Sequence, residues 1–360
     1  MTNVPPGWLV RAVTRMADAL AKVRRRLVPR HFSAVELGTM SWVAQSVAAF
    51  CELGLPDALA SGARTAGELA AEGYGNEGML FRLLRNLAAY DVVKYVGHDR
   101  FSLGHIGRAL TGEHSAAPLV LYANAPWHVK AYAHLAFAIR EGRPGFELSE
   151  GMPMFEFFGK NERAGALFDG AMQSLTPLFA GAMAAAYDFA QFQHIVDVGG
   201  GTGILPATIL EKYSRVRGTV FELPAVAQRT RELAQERGLS ERLKVVEGDI
   251  FIDVPPPADA YILSHVLHDW DDDSCVLILQ NLRQAMQSGA RLLIYEIVAA
   301  PPNNHWSQDR ITDLEMMAML SGRERTRDEF DALLSRCGLR LVRIISTAAA
   351  ESIVEATRLD

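Results

Sequence analysis

One segment constrains the fold of this chain more than any other: residues 196–203, which read VDVGGGTG. Apolar residues run into a cluster of glycines, the pattern of a buried strand that ends in a tight turn. Glycine lacks a Cβ atom, so the backbone can turn sharply there and approach a ligand closely. Because ligands of open parallel sheets bind beyond the carboxyl ends of the strands, the segment predicts a small-molecule site at this strand end.

An alternation of strands and helices surrounds and follows this segment. Helices fit between the apolar runs, so we predict an α/β fold with a doubly wound, mainly parallel, Rossmann-like sheet. The 360 residues are enough for two medium domains, and we place a helical domain at 1–187 and the α/β domain at 188–360. Strands are predicted at 195–198, 218–222, 243–247, 260–264 and 291–296, with a final pair near 340–346 and 351–356.

The first part of the chain, from about residue 33 to 190, has helical periodicity, and residues 65–103 resemble a small winged-helix unit. A winged helix can bind DNA. Its second helix, predicted at 77–90, carries Arg82 and Arg85 as its basic residues, and the whole chain is acidic, with 36 Lys and Arg against 42 Asp and Glu. We therefore favour a scaffold or dimerisation role, with a DNA-binding regulator as the alternative.

From the cysteine content, we expect a reducing cytoplasm as the simplest setting for this protein. Cys51, Cys275 and Cys337 lie far apart and fit neither a disulfide framework nor a metal motif. The sequence has neither a signal-peptide pattern nor an apolar run of the roughly 20 residues that span a membrane. Residues 8–30 predict a basic amphipathic helix. We expect it to pack on its own domain or on a partner subunit; contact with a membrane surface and a transit peptide are the alternatives.

The glycine spacing limits the ligand that the first strand end can hold. Gly199, Gly201 and Gly203 lie two residues apart, but the dinucleotide fingerprint needs glycine or alanine at the position that Ile204 occupies. The segment also lacks the Gly-Lys-Ser/Thr of a phosphate-binding loop. A tight strand–helix turn without a ligand remains the structural alternative.

Three acids strengthen the ligand interpretation. Asp197 lies in the first strand, Glu222 ends the second, and Asp249 follows the third. Glu222 has roughly the spacing at which an acid accepts the two ribose hydroxyls, and Asp249 can accept from an adenine amino group. Each acid alone is typical of a helix cap or a turn. Three beside one glycine turn favour a cationic, phosphate-free nucleoside, and S-adenosylmethionine has that chemistry.

A candidate general base follows the fourth strand of this domain. An ordinary imidazole has a pKa near 6.5, so neutral His268 could take a proton from a phenol. An acid at its other ring nitrogen would orient it, and the candidates are Glu296 and Glu324. Asp269 is expected to turn away, and His265 is interpreted as structural. The pattern predicts proton removal followed by methyl transfer from the sulfonium.

The acids at 271–273 are a possible metal site. We instead expect them to start a helix at 272–287, where the helix dipole favours negative charge, and we predict no metal.

Five segments resemble one enzyme family. From about residue 40 onward, the chain resembles the plant-type O-methyltransferases and their bacterial relatives in antibiotic and pigment biosynthesis, such as the mitomycin, anthracycline and hydroxyneurosporene methyltransferases. The order and spacing of the motifs are specific for the family but say little about the substrate. The segments are 196–203, 221–224, 247–251, 267–273 and 322–326.

The resemblance implies a role for individual residues. Gly199, Gly201 and Glu222 would hold the methionine and ribose parts of S-adenosylmethionine, and Ser264 stands where relatives often carry a lysine. His268 would be the base, with Glu296 and Glu324 flanking it. The complete predicted cofactor set is Asp197, Gly199, Gly201, Glu222, Leu223, Asp249, Ile250, Phe251, Ser264 and Trp270.

The resemblance also implies a homodimer, in which the helical half lends residues to the partner's acceptor site. Met172 matches a position that lines this site, and the other acceptor candidates could equally belong to the core. We therefore predict a metal-independent O-methyltransferase that produces a methyl ether and S-adenosylhomocysteine from a small aromatic or polyketide-like acceptor. Relatives that use the cofactor pocket for hydroxylation or decarboxylation are the alternative. The other acceptor candidates are Trp127, Phe155, Phe158, Met316 and Met319.

Overall fold

A computed structural model describes residues 7–112, 115–253 and 255–359. The helices are α1 (Gly7–Leu27), α2 (Arg30–Gly38), α3 (Met40–Glu52), α4 (Leu55–Ala60), α5 (Ala66–Ala71), α6 (Glu77–Ala88), α7 (Ala117–Ala123), α8 (Pro126–Ala133), α9 (Leu135–Glu141), α10 (Gly145–Glu150), α11 (Met154–Lys160), α12 (Glu162–Ala186), α13 (Ile204–Lys212), α14 (Pro224–Glu236), α15 (Asp272–Ala285), α16 (Gln308–Met319) and α17 (Arg327–Arg336). The strands are β1 (Arg64–Thr65), β2 (Val93–Tyr95), β3 (Arg100–Leu103), β4 (His194–Val198), β5 (Arg217–Glu222), β6 (Leu243–Glu247), β7 (Ala260–Ser264), β8 (Arg291–Glu296), β9 (Val298–Ala299), β10 (Arg325–Thr326), β11 (Leu339–Ser346) and β12 (Ser352–Arg358).

The main sheet has seven strands in the order β11-β12-β8-β7-β4-β5-β6. Strands β8, β7, β4, β5 and β6 pair in parallel, whereas β12 pairs antiparallel with both of its neighbours. The predicted doubly wound α/β fold is confirmed, and every predicted strand lies within two residues of an observed one at both ends. Because β4 and β7 are parallel neighbours, their carboxyl ends meet at one edge of the sheet.

Both faces of the main sheet are covered, which explains why its strands read as apolar runs. Successive side chains of a strand point to opposite faces. In β4, Val196 and Val198 therefore pack in one apolar cluster, with α15 and α17, while Ile195 packs in the other, with α13. The buried Asp197 interrupts this apolar strand.

The predicted winged-helix unit is present as a small sheet in the order β1-β3-β2 with two helices. Thr65 caps α5 in a capping box with Glu68, and Asn76 caps α6 through the backbone N–H of Met79. The apolar side of α6 contributes Leu80, Leu84 and Leu87 to a separate core. The helix caps fix where α5 and α6 begin, and the periodic apolar residues of α6 fix which side of that helix is buried.

Contacts within the chain divide it into two compact units. One comprises 1–20, 134–151 and 176–360 and contains the seven-stranded sheet, and the other comprises 21–133 and 152–175. No helix in the described part of the chain is long and apolar enough to cross a membrane.

Candidate active site

The glycine turn after β4 has the conformation that its sequence requires. Gly199, Gly201 and Gly203 all have positive φ, at 69°, 56° and 80°. A Cβ atom at position 203 would lie 2.7 Å from Cγ2 of Thr230, so this position also lacks room for a side chain. The hydroxyl of Thr230 donates to the carbonyl oxygen of Gly201 at 2.8 Å and holds the turn against α14.

Asp197 lies directly beneath this turn. A Cβ atom at Gly200 would be 2.4 Å from Oδ2 of Asp197, so glycine is needed for the carboxylate to fit. Both carboxylate oxygens are buried, and neither has a hydrogen-bond partner among the described residues. Burial, together with the charge of Glu222, raises the pKa of Asp197 to about 8. A buried acid without donors is suited to a ligand that brings N–H groups or a positive charge.

Glu222 reaches the same turn from the end of β5. The backbone N–H of Gly201 donates to Oε2 at 2.9 Å, and that of Leu223 donates to Oε1 at 2.8 Å. Burial raises the pKa of Glu222, while these two hydrogen bonds oppose the change. The carboxylate is thereby fixed at the strand end, with further lone pairs for a ligand.

The predicted adenine-contacting residues form a neighbouring group. Oδ1 of Asp249 accepts the backbone N–H of Phe251 at 2.9 Å, and the backbone N–H of Asp249 donates to Asp253. The ring of Phe251 meets the ring of Trp270 edge-on, with centroids 4.8 Å apart. Asn281 donates to the carbonyl oxygen of Ile250. These contacts shape the segment after β6, and Asp253 is a supporting residue that the sequence analysis did not identify.

His268 lies in a short 3₁₀ turn, Leu267–Asp269, after β7. Its Nδ1 is 3.0 Å from Oε1 of Glu324, and both side chains are buried. A carboxylate can only accept, so Nδ1 carries the proton and Nε2 is the basic nitrogen. The expectation that Asp269 turns away is wrong, because its Oδ1 lies 3.5 Å from Nε2.

Glu296, the other acid considered for the ring, instead holds the backbone. Its Oε1 accepts the N–H groups of Val266, Leu267 and His268 at 3.2, 2.7 and 3.2 Å. Burial raises the pKa of Glu296 to about 7, while His268 favours its charged form. Glu324 is therefore the acid on the imidazole, and Glu296 positions the turn that carries it.

The charges around His268 change its protonation. Burial by itself lowers the pKa of this imidazole, but the carboxylates around it outweigh burial and raise the pKa to about 10. The ordinary pKa of 6.5 assumed from the sequence is therefore wrong. Carboxylates surround the ring, and their negative charge stabilises the imidazolium relative to the neutral imidazole. The contributing acids are Asp269, Glu324 and Glu296.

Two more residues of the segment 322–326 hold the 3₁₀ turn, and the sequence analysis gave them no role. A Cβ atom at Gly322 would lie 1.9 Å from the carbonyl oxygen of His268, so only glycine fits. The buried guanidinium of Arg325 donates to the carbonyl oxygens of Leu267 and Trp270 at 2.8 and 2.9 Å, and to Asp272. Their position next to Glu324 in the sequence is the signal that could have identified them.

The acids at 271–273 have structural partners. Oδ1 of Asp271 caps α15 by accepting the backbone N–H of Ser274. Asp272 pairs with Arg323 and Arg325, and Asp273 pairs with Arg336. These contacts agree with the helix-start interpretation. Among residues that the structure describes, no group of His, Cys, Asp and Glu has the arrangement of a metal site.

Comparison with known proteins identifies the family. Residues 132–340 match the O-methyltransferase domain, and residues 35–113 match the O-methyltransferase dimerisation domain. The chain belongs to the O-methyltransferase family. It is an S-adenosylmethionine-dependent O-methyltransferase, so the glycine turn and the acids lie in the domain that uses this cofactor.

Several relatives of this O-methyltransferase act in bacterial natural-product biosynthesis. The mitomycin biosynthesis 6-O-methyltransferase of Streptomyces lavendulae is 37% identical over 323 residues, which cover 88% of this chain and 92% of that protein. The structure of the mitomycin 7-O-methyltransferase has a TM-score of 0.86 and 35% identity, covering 94% of this chain and 99% of the other. A neocarzinostatin O-methyltransferase, solved with S-adenosylmethionine and 2-hydroxy-5-methyl naphthoic acid, has a TM-score of 0.76 and 33% identity, covering 88% and 96%.

The predicted acceptor residues of this O-methyltransferase fall into two groups. Trp127, Phe155 and Phe158 belong to an aromatic cluster: the rings of Trp127 and Phe158 meet edge-on at 5.2 Å, and Phe168 lies between Phe155 and Phe158, at 6.1 and 5.0 Å. Met172 lies in α12 of the same compact unit. The second group, Met316 and Met319, is buried in α16 of the other unit.

Proposed function

We propose that this enzyme transfers the methyl group of S-adenosylmethionine to a hydroxyl of a small aromatic or polyketide-like acceptor, with His268 as the general base. The observation that carries the proposal is the buried pair of Glu324 and His268, whose 3₁₀ turn follows β7, the parallel neighbour of the strand β4 that leads into the glycine turn. A base and a nucleoside-binding turn at neighbouring parallel strand ends are the two parts that methyl transfer needs.

The residues at the strand ends fit the cofactor. Asp197 and Glu222 provide negative charge beneath and beside the glycine turn, and Asp249 with the Phe251–Trp270 pair provides a carboxylate and apolar rings for an adenine. When bound, S-adenosylmethionine supplies a sulfonium methyl group and a positive charge. The other proposed contacts are Gly199, Gly201, Leu223, Ile250 and Ser264.

The acid–base step follows from the geometry of His268. With Nδ1–H directed at Glu324, Nε2 is the nitrogen that accepts the acceptor's hydroxyl proton. A positive charge close to the ring opposes the surrounding carboxylates and favours the neutral imidazole, the form that can act as a base. After proton transfer, the same carboxylates stabilise the imidazolium. A phenolate is a far better nucleophile than a phenol of pKa about 10.

The aromatic cluster supports an aromatic acceptor. Trp127, Phe155 and Phe158 present flat apolar surfaces, and the methionines Met172, Met316 and Met319 adapt to flat ligands. The match to the dimerisation domain supports a homodimer. All three cysteines are free, which supports action in a reducing cytoplasm.

The first test separates cofactor binding from catalysis. A ligand that binds only the folded state raises its melting temperature, so S-adenosylmethionine and S-adenosylhomocysteine should stabilise the protein and NAD should not. His268→Gln should keep this stabilisation and lose most transfer of labelled methyl to phenolic acceptors, by about 10²–10⁴-fold. Full turnover by the variant would rule out His268 as the base. Cofactor binding by the wild type without any methyl transfer would instead favour the non-transfer chemistry of some relatives.

A further inference from the structure

A second histidine stands next to the base, and the mechanism above does not use it. His265 directly follows β7, and its ring centroid is 5.2 Å from that of His268. Its φ of 54° is left-handed, a conformation that costs energy for a residue with a Cβ atom. The backbone N–H of His265 donates to the carbonyl oxygen of Tyr295, which fixes this conformation. Strained backbone conformations of this kind are often found at functional sites, where they orient a side chain.

Each of the two histidines has one ring nitrogen near a buried glutamate, within ion-pair distance but without a hydrogen bond for His265 and with a hydrogen bond for His268. Nε2 of His265 lies 3.6 Å from Oε1 of Glu351, and the Glu351 side chain is 3% exposed. For His268 the corresponding pair is Nδ1 and Glu324, at 3.0 Å. Burial raises the pKa of Glu351 to about 7, so its charged form is populated from about neutral pH upward, and this charge favours the tautomer of His265 with hydrogen on Nε2, which leaves a lone pair on Nδ1.

The lone pair on Nδ1 of His265 faces accessible space. The side chain is 26% exposed, although Nε2 is buried. Within the described part of the chain, Nδ1 has no hydrogen bond and is not one of the buried unpartnered atoms, so it is accessible. Nε2 of His268 is also not one of the buried unpartnered atoms; it lies 3.5 Å from Oδ1 of Asp269 and can accept a hydrogen bond when the imidazole is neutral. Two neighbouring imidazoles therefore each present one nitrogen that can accept a hydrogen bond.

The groups packed around His265 keep it neutral. Burial and the nearby His268 lower its pKa to about 3, so its charged form is disfavoured. Phe179 from α12 and Tyr295 from β8 lie against the ring, and the phenol of Tyr295 already donates to the carbonyl oxygen of Phe179. The titratable groups on the surrounding elements are His268 and Asp269 on its own segment, Glu296 at the end of β8, Glu324 before β10 and Glu351 before β12.

We propose that His265 is a specificity-determining residue: its Nδ1 accepts a hydrogen bond from a second hydroxyl, adjacent to the one that is methylated, so that aromatic ortho-diols are preferred acceptors. This inference rests on the proposed function, because it needs His268 to face the first hydroxyl. Two hydroxyls on neighbouring ring carbons match two acceptor nitrogens on neighbouring imidazoles. A mono-hydroxylated acceptor would leave Nδ1 of His265 without a partner.

The test compares catechol with phenol in the full-length protein. His265→Gly removes the ring and accepts the left-handed backbone, and His265→Asn accepts it as well while keeping a hydrogen-bond acceptor. We expect the ratio of kcat/KM for catechol to that for phenol to fall about tenfold in the glycine variant, the loss of roughly one hydrogen bond. The asparagine variant should recover most of the ratio. Stabilisation by S-adenosylhomocysteine checks that each variant is folded.

A matched control is available in the other compact unit. His98 is exposed and has a φ of 51°, so His98→Gly makes the same change in the same backbone conformation, and the ratio should not change. Glu351→Gln should lower the ratio as well, because it removes the charge that selects the tautomer. An unchanged ratio in His265→Gly, with both acceptors methylated, would overturn the proposal and leave the proposed function intact.

Measurements of acceptor binding distinguish failure of the second hydroxyl site from failure of the proposed function. Calorimetry of catechol and phenol with the complex of protein and S-adenosylhomocysteine needs no turnover. A catechol preference that depends on His265, found in a wild type that methylates neither compound, would support the second site and contradict the proposed function. Equal affinity of the wild type for catechol and phenol would overturn the second site.

Discussion

Replacing Glu324 with Gln is expected to change both the height and the position of the pH–rate profile. The carboxylate lies 3.0 Å from Nδ1 of His268 and is buried, so solvent does not screen the pair. Gln can donate an N–H to Nδ1, which would place the ring proton on Nε2 and block the base. A charge-assisted hydrogen bond of about 1.5–3 kcal/mol is lost, which predicts a plateau rate about 10- to 150-fold lower.

The midpoint of the pH–rate profile is expected to move to lower pH. A loss of activity alone would lower the plateau without moving the midpoint. The proposed base catalysis requires neutral His268, so kcat/KM is expected to rise with pH through the pKa of this group in the free enzyme. The wild-type pKa is raised to about 10, partly by Glu324. Removing an opposite charge at this distance lowers a pKa by about 1–3 pH units. The variant therefore reaches its lower plateau at a lower pH.

The assay is the pH dependence of kcat/KM with one phenolic acceptor, measured alongside the affinity for S-adenosylhomocysteine. Glu211→Gln is the matched control, because it removes an exposed carboxylate 3.4 Å from Arg237 and should leave the profile unchanged. A Glu324→Gln profile with the wild-type plateau, or with a midpoint that stays in place or moves upward, would refute the assignment of Glu324 to the base.

Three further substitutions test the supporting structure. In Asp197→Asn, the free energy of unfolding without ligand should rise by about 1–3 kcal/mol at pH 8. The pKa of Asp197 in the folded state, about 8, lies above the unfolded value, so the wild-type protein loses stability as the pH rises from about 4 to 8. Thermal unfolding of both proteins at pH 5 and pH 8 should therefore show a smaller stabilisation by the substitution at pH 5. The variant should lose cofactor binding at both pH values. In Arg325→Lys, the ammonium group cannot donate to both carbonyl oxygens and to Asp272 in the same geometry. Urea unfolding should therefore show a free energy of unfolding that is about 2–4 kcal/mol lower. Wild-type stability would contradict the role of Arg325. Gly203→Ala should lose a similar amount, about 2–4 kcal/mol, by the same measurement, because of the positive φ and the 2.7 Å approach to Thr230, and wild-type stability would contradict this explanation of the turn.

The fold was predictable because it depends on local pattern. Both faces of the main sheet are covered, so its strands appear as uninterrupted apolar runs, and 196–203 marks the first of them together with its turn. The capping box of Thr65 and Glu68 is equally local. Such signals span a few residues, and the structure reproduces them.

The sequence identified His268, Glu296 and Glu324 as candidates, but it could not show which of them form a pair. His268 and Glu324 are separated by 56 positions, and only the folded chain decides that Glu324 rather than Glu296 meets the ring. The side-chain direction of Asp269 depends on a 3₁₀ turn that the sequence did not indicate. The raised pKa of His268 then follows from several carboxylates that converge from separate elements, which no single motif reveals.

The position of β12 within the sheet has a consequence for biosynthesis. It lies between β8 and β11, so β11, although it emerges from the ribosome earlier, has no partner in the sheet until β12 has also emerged. A nascent chain that stops before residue 352 would expose the edges of β8 and β11 together, and unpaired strand edges promote aggregation. Co-translational folding of the α/β domain is therefore expected to finish late, and translational pauses after β11 are expected to be the vulnerable ones.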